Sequence, residues 1–174
     1  IHLTPIDAVD PCGYRLPALT NLGMGYVFEE LIRKFNEDNN EEAGEHFTPR
    51  EVIELMTHFV FDPIQEKLPL TITVYDPACG SGGMLTELQN FIEERYSDED
   101  RDSFLYGKEI NDETYAICKS DMMIKGNNPE NIRVGSTLAS DEFASTRFDF
   151  MLSNPPYGKS WASDQKYIVE DKKV

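Results

Sequence analysis

Apolar residues recur along this chain with two different spacings, and the change from one to the other divides it. Val27, Phe28, Leu31, Ile32 and Phe35 fall three and four residues apart, which predicts an amphipathic helix over residues 24–37. Residues 36–45 are acidic and polar and contain Gly44, the pattern of a surface loop whose charge needs no partner. A second helix is predicted to start at Thr48. Thr48 is placed as its N-cap, Pro49 at its first position, and Glu51 as the far member of a capping box. Phe47 and Val52 are spaced as a hydrophobic staple, and Val52, Ile53, Met56, Phe59 and Val60 as the buried stripe. Residues 1–22 are rich in Pro, Asp and Thr, show no period and read as irregular.

From residue 70 the spacing alternates between strand and helix. Short β-rich runs at 70–75, 104–106, 132–134 and 148–152 predict four strands. Between them, Met84, Leu85, Leu88, Phe91 and Ile92 mark one helix, and Tyr115, Cys118, Met122 and Ile124 another. The second of these is capped by Asn111 or Asp112 and stopped by Gly126, and residues 97–102 form a charged turn. Strands alternating with helices imply an α/β fold with a parallel sheet and right-handed crossovers.

Composition narrows the class. A chain of 174 residues with 40% apolar and 28% charged content has room for one domain with a core. No apolar run approaches the length of a membrane span, and no basic segment followed by an apolar one suggests a signal peptide. The chain begins at Ile1 and reads as part of a longer protein. Cys12, Cys79 and Cys118 are odd in number and lack a C-x-x-C pair, so they read as buried thiols in a reducing cytoplasm. His2, His46 and His58 have no metal-ligand spacing. The net charge of −16 bears on partners, because phosphate neutralisation needs Lys and Arg. If this chain acts on nucleic acid, another domain or subunit must hold the duplex.

Two segments carry candidate chemistry. Asp76-Pro77-Ala78-Cys79-Gly80-Ser81-Gly82-Gly83 lies between a predicted strand and helix, where glycines admit a ligand to the backbone and the helix N-terminus offers N–H groups. Leu85 stands where a dinucleotide fingerprint needs its third glycine, and no Gly-Lys-Ser/Thr follows, so neither that motif nor a P-loop is present. Glu109 closes the next strand, where a carboxylate can accept the hydroxyls of a ribose. A tight strand-to-helix connection is the plain alternative for the glycine turn.

Asn154-Pro155-Pro156-Tyr157 follows the last predicted strand. Two prolines end a strand by themselves, which is the plain reading. The flanking amide and aromatic suit a specific task. An exocyclic nucleobase amine is a poor nucleophile until acceptors take its hydrogens and stabilise the positive charge that develops on nitrogen. The Asn154 Oδ1 and the Pro155 carbonyl can be those acceptors, Pro155 and Pro156 fix the carbonyl's direction, and Tyr157 offers a face to an extruded base.

Taken together these segments resemble the N6-adenine DNA methyltransferases, most closely the modification subunit of type I restriction-modification systems. The resemblance runs from about Gly25 to Lys159. It implies a Rossmann-like sheet of which this chain holds the first four strands, preceded by helices. Residues 1–48 would be an N-terminal helical segment and linker, and 49–174 the first part of the catalytic domain. It implies S-adenosylmethionine as cofactor and no metal, since a sulfonium is already a good leaving group. Phe47, Thr48 and Pro49 would lie against its methionine end. Asp76, Ala78, Gly80, Ser81, Gly82 and Gly83 would form the turn beneath it, with Glu109 on its ribose. The family's Gly-Asp-Thr-Leu appears here as Gly135-Ser136-Thr137-Leu138, so Ser136 brings a hydroxyl where the family brings a charge. Asn154, Pro155, Pro156 and Tyr157 would be the catalytic segment. DNA, a specificity subunit and a restriction subunit would be the partners, in the cytoplasm. Methylation of a protein glutamine or an RNA base, or a cofactor-binding assembly module without activity, are the competing readings. A nicotinamide oxidoreductase ranks last because of Leu85.

Overall fold

The computed structural model describes residues 8–9, 15–16, 23–24, 27–28, 30–31, 34, 48–96, 101–158 and 160–170. Two short antiparallel strands, β1 (Ala8–Val9) and β2 (Arg15–Leu16), precede the main body. The described positions among residues 23–34 are helical, the acidic loop at 36–45 and residues 97–100 of the expected 97–102 turn lie outside the described residues, and Asp102 of that turn is already in a strand.

The main body is a four-stranded sheet of β3 (Thr71–Asp76), β4 (Asp102–Glu109), β5 (Ile132–Val134) and β6 (Phe150–Met151), in the order β5-β4-β3-β6. All three pairings are parallel. The order runs outward from β3 through β4 to β5 and then returns to the other side of β3 for β6. This is a topological switch point, and the crevice it opens lies beyond the C-terminal ends of β3 and β6.

Side-chain alternation along β3 sends Ile72, Val74 and Asp76 to one face. There Ile72 and Val74 join one core with Ile53 and Phe61 of α1 (Arg50–Phe61), Leu85, Leu88 and Ile92 of α2 (Gly83–Arg95), and Cys118 and Met122 of α3 (Asp112–Ile124). Tyr75 lies on the other face, stacked on Phe148 at 4.7 Å and edge-on to Phe143, which also meets Tyr106 of β4. Asp149 pins this covering loop to β3 by accepting from the Thr73 N–H (2.9 Å) and hydroxyl (2.7 Å).

Helix α1 corrects the sequence-based expectation at its start. Its N-cap is Pro49, no side chain caps it, and the Thr48–Glu51 box is not formed. Phe47 of the expected staple lies outside the described residues, and its partner Val52 is exposed, as is Phe59 at 73%. Of the expected stripe, Ile53 is buried and Met56 and Val60 pack half-buried against the core; Thr57 and Phe61 complete the buried side, and Thr57 satisfies its hydroxyl on the Ile53 carbonyl at 2.7 Å. Phe61 reaches the Phe150 ring at 4.5 Å, tying the end of α1 to the start of β6.

Helix α3 begins and ends as expected. Asn111 accepts from the N–H groups of Glu113 and Thr114, and Gly126 (φ +83°) closes a Schellman turn, with Asn127 N–H donating to Met122 O and Gly126 N–H to Met123 O. Of its apolar positions, Cys118 and Met122 are buried, and Tyr115 and Ile124 half-buried.

Gly82 is where backbone and packing both demand glycine. It is the N-cap of α2 at φ +90°, and a Cβ there would stand 2.8 Å from Cys118 Sγ and 3.0 Å from Met122 Cε. Gly82→Ala should cost ~1–2 kcal/mol of left-handed strain and roughly 1–3 kcal/mol of overpacking. Urea unfolding should show the second part, but not the first, recovered by adding Cys118→Ala. Strict additivity of the two substitutions would show that Gly82 and Cys118 do not press on one another.

Candidate active site

The glycine turn is built from both ends. Asp76, 2% exposed at the end of β3, accepts the Ala78 N–H at 3.0 Å and so bends the chain out of the strand. The Cys79 N–H donates to Lys108 O at 3.0 Å, which holds the turn against the end of β4. Gly80 and Gly82 have positive φ of 56° and 90°, and the turn delivers the chain into α2 without a side-chain cap. The first N–H groups of α2 therefore have no cap side chain over them.

Glu109, the last residue of β4 and 7% exposed, joins two loops. Its Oε2 accepts the Gly80 N–H at 3.0 Å and its Oε1 the Asn111 N–H at 2.8 Å. A carboxylate has about four acceptor sites, so two backbone bonds fix its orientation and leave capacity for a diol. The Glu109 carbonyl accepts the Gly135 N–H at 2.8 Å, which brings the end of β5 alongside.

Ser136 follows directly. Its hydroxyl donates to Asp164 Oδ2 at 2.9 Å and accepts the Leu138 N–H at 3.3 Å. The position lacks a charge of its own, yet a carboxylate stands beside it, carried back by the segment after Asn154–Tyr157. Sequence reading missed Asp164, because nothing local relates two residues 28 apart. It also missed Thr137, whose hydroxyl donates to the Pro77 carbonyl and links the β5 loop to the glycine turn. Lys108 stands in no motif of the sequence. It is 1% exposed, and its ammonium donates to Ser140 and pairs with Glu142, whose carboxyl it holds below the usual range. The one signal was a lysine inside an otherwise buried strand end.

The fourth strand brings the other segment in. Leu152 N–H donates to Tyr75 O at 3.2 Å, and β6 then gives way to Ser153–Pro156, which is neither helix nor strand. Asn154 is exposed, and its Nδ2 donates to Thr48 Oγ1 at 3.1 Å. Pro155 and Pro156 are exposed, and Tyr157 is fully so. Thr48 and Pro49 thus lie beside the Asn-Pro-Pro-Tyr segment, while Phe47 is outside the described residues. Ser81 and Gly83 lie half-buried in the turn, and Gly82 is buried beneath them.

A family profile described as N-6 DNA Methylase matches residues 21–174. The chain is 29% identical over 176 residues to the type I restriction enzyme MpnII methylase subunit of Mycoplasma pneumoniae, a match covering 94% of this chain and 30% of that protein. It is 31% identical over 141 residues to the EcoEI methylase subunit of Escherichia coli, covering 77% of this chain and 27% of the relative. Among solved structures, the type I restriction-modification system methyltransferase subunit of Streptococcus thermophilus superposes with a TM-score of 0.64 at 30% identity, over 86% of this chain and 31% of that one. A structure from Listeria monocytogenes assigned to the class I S-adenosylmethionine-dependent methyltransferases superposes at 0.65 with 17% identity, over 84% and 43% of the two chains, a likeness of fold. The chain spans 26–30% of the length of the first three curated relatives.

Asp76 yields a pH-dependent prediction. Burial pushes its carboxyl from 3.8 up to about 6, against the opposing pull of the Ala78 N–H. Between those values the folded chain keeps a proton that the unfolded chain has released. Its contribution to stability is therefore complete below the unfolded value and lost as pH rises through the folded one. Asp76→Asn keeps the amide acceptor and does not titrate. The stability of the wild type relative to this variant should fall by ~1–3 kcal/mol from about pH 4 to about pH 7 in urea unfolding. A difference that stays level would show that Asp76 is not buried in this way.

Proposed function

Because this chain belongs to the N-6 DNA methylase family, we propose that it forms the cofactor-binding and catalytic part of a methyltransferase acting on the N6 amine of adenine in DNA, as the modification subunit of a type I restriction-modification system. The observation that carries the reading is a juxtaposition. The glycine turn with Glu109, and the Asn154 segment, emerge at the same edge of the sheet from adjacent strands β3 and β6, on the two sides of the switch point. Adjacent strands lie ~4.8 Å apart, so a donor on one and an acceptor amine on the other meet without a further device.

The residues present suit S-adenosylmethionine. Glu109 is already oriented by two backbone N–H groups and retains acceptor sites for ribose hydroxyls. The start of α2 that follows the turn has no side-chain cap and offers its N–H groups, and Asp164 at Ser136 adds a carboxylate at the β5 end. Bound there, the cofactor supplies an electrophilic methyl group on a sulfonium. The rest falls to the protein. Asn154 Oδ1 and the Pro155 carbonyl accept the two hydrogens of the amine and stabilise the charge that grows on its nitrogen. Tyr157 presents a bare ring to a base turned out of the duplex.

The −16 charge assigns gripping of the duplex to other parts of the protein or to companions, with a specificity and a restriction subunit as the natural ones for this family. Among the described residues no helix is long and apolar enough to cross a membrane.

The test uses the intact protein with its companion subunits. Asn154→Ala should lower single-turnover methyl transfer to adenine by ~10²–10³, the scale for one preorganised polar contact to developing charge, with S-adenosylhomocysteine affinity unchanged. Glu109→Gln should weaken S-adenosylhomocysteine binding by ~1.5–3 kcal/mol in calorimetry. An Asn154→Ala protein that transfers at the wild-type rate makes Asn-Pro-Pro-Tyr a strand terminator and removes the catalytic reading.

A further inference from the structure

We propose that Thr48 is a positioning residue for Asn154, holding its amide by the nitrogen so that the carbonyl oxygen is presented to the target amine. This rests on the function proposed above and adds a residue to its chemistry.

Thr48 does not cap the helix it precedes. A threonine two residues before a helix, followed by proline, is expected to give its hydroxyl to the first free N–H groups of that helix. Here the Val52 and Ile53 N–H groups bond to the Pro49 carbonyl at 3.0 and 3.1 Å, and no side chain caps α1. The hydroxyl is left for a different partner. It accepts from Asn154 Nδ2 at 3.1 Å, across 106 residues of sequence.

The position of that hydroxyl is not accidental to one loop. Helix α1 is anchored by Ile53 and Phe61 in the core, and Phe61 packs on Phe150 at the start of β6. Thr48 at the other end of α1 meets Asn154 beyond the other end of β6. The helix and the strand therefore run side by side in opposite directions, with a contact at each end. Docking α1 sets Thr48, and Thr48 sets the amide.

An asparagine amide has two ends of opposite hydrogen-bonding sense. Turned one way it accepts from the target amine, and turned the other way it places N–H against N–H. A partner that takes Nδ2 selects the accepting orientation. It also draws charge along the amide toward Oδ1, because hydrogen bonds in a chain polarise one another. Asn154 is exposed and the proline after it has no N–H to offer, so a side-chain partner is needed to fix it.

The experiment compares wild type, Thr48→Val, Thr48→Ser, Asn154→Ala and the Thr48→Val/Asn154→Ala pair in the intact enzyme. Single-turnover rate at saturating cofactor, S-adenosylhomocysteine affinity and thermal unfolding are read for each. Thr48→Val should lower the rate roughly three- to tenfold, the scale of one neutral hydrogen bond. Reading the rate at saturating cofactor separates this loss from any contact Thr48 makes with the methionine end of the cofactor; the melting temperature should stay at the wild-type value, and Thr48→Ser should restore the rate. In the Asn154→Ala background Thr48→Val should change nothing further, since the residue it acts through is gone. The proposal is overturned if Thr48→Val transfers at the wild-type rate, if its rate loss persists undiminished without Asn154, or if the loss appears only in cofactor affinity. Failure of the underlying reading is separate: there Asn154→Ala itself would transfer normally, whatever Thr48 does.

Discussion

Strand β3 is the constraint on which the rest depends. It is paired on both edges and packed on both faces, and both the glycine turn and the end of the fourth strand take their places from it. Its last residue, Asp76, turns the chain into the glycine loop. The carbonyl of Tyr75, one residue earlier, accepts Leu152 and so fixes where the fourth strand ends. A strand with partners on both edges has no freedom of register, because a one-residue slip would turn Ile72 and Val74 out of the core. The reversal of strand order beside β3 then turns a packing solution into a crevice with two fixed walls.

The walls are stitched across the sheet edge by single polar contacts. Glu109 binds the glycine turn of β3 to the start of α3. Its carbonyl holds Gly135 of the β5 end, and Thr137 reaches back to Pro77. Lys108, buried beside Glu109, secures the next loop through Ser140 and Glu142. Placing an ammonium in that position is costly unless its charge is matched and its protons are used. Its surroundings meet both demands, and the loop after β5 cannot drift from β4 without stranding the charge. Rigid placement of this kind matters where a cofactor and a target must meet within bond-forming distance.

The four strands and the helices between them were legible in the sequence because each is a local pattern. Thr71–Asp76 and Ile132–Val134 fall within a residue of the runs that predicted them, and Asn111 and Gly126 bound α3 by side-chain and backbone chemistry that needs no tertiary context. The Asn-Pro-Pro-Tyr and glycine segments were legible for the same reason. What local pattern could not show was competition between partners. Val52 and Phe59 satisfy helical spacing as well as Ile53 and Phe61 do. Only the neighbouring elements, α2 with Phe91 and β6 with Phe150, decide which stripe is covered. Asp164 was invisible because its relation to Ser136 exists only once the chain has crossed from the fourth strand to the third.

Thr48 shows the same limit most sharply. Its local sequence offers a complete capping box, and such boxes are worth on the order of 1 kcal/mol. The box loses because Pro49, locked near φ −53° and extended in ψ, itself takes the N-cap position and starts the helix one residue later. Its carbonyl then receives the Val52 and Ile53 N–H groups, and no side chain caps the helix. The proline thus has two consequences from one ring. It sets the start of α1, and it releases the preceding hydroxyl to face the loop after β6. A threonine followed by a proline is for that reason a different signal from a threonine that heads a helix alone. The first frees a hydroxyl for a tertiary partner, and in this fold the partner within reach is the amide of Asn154.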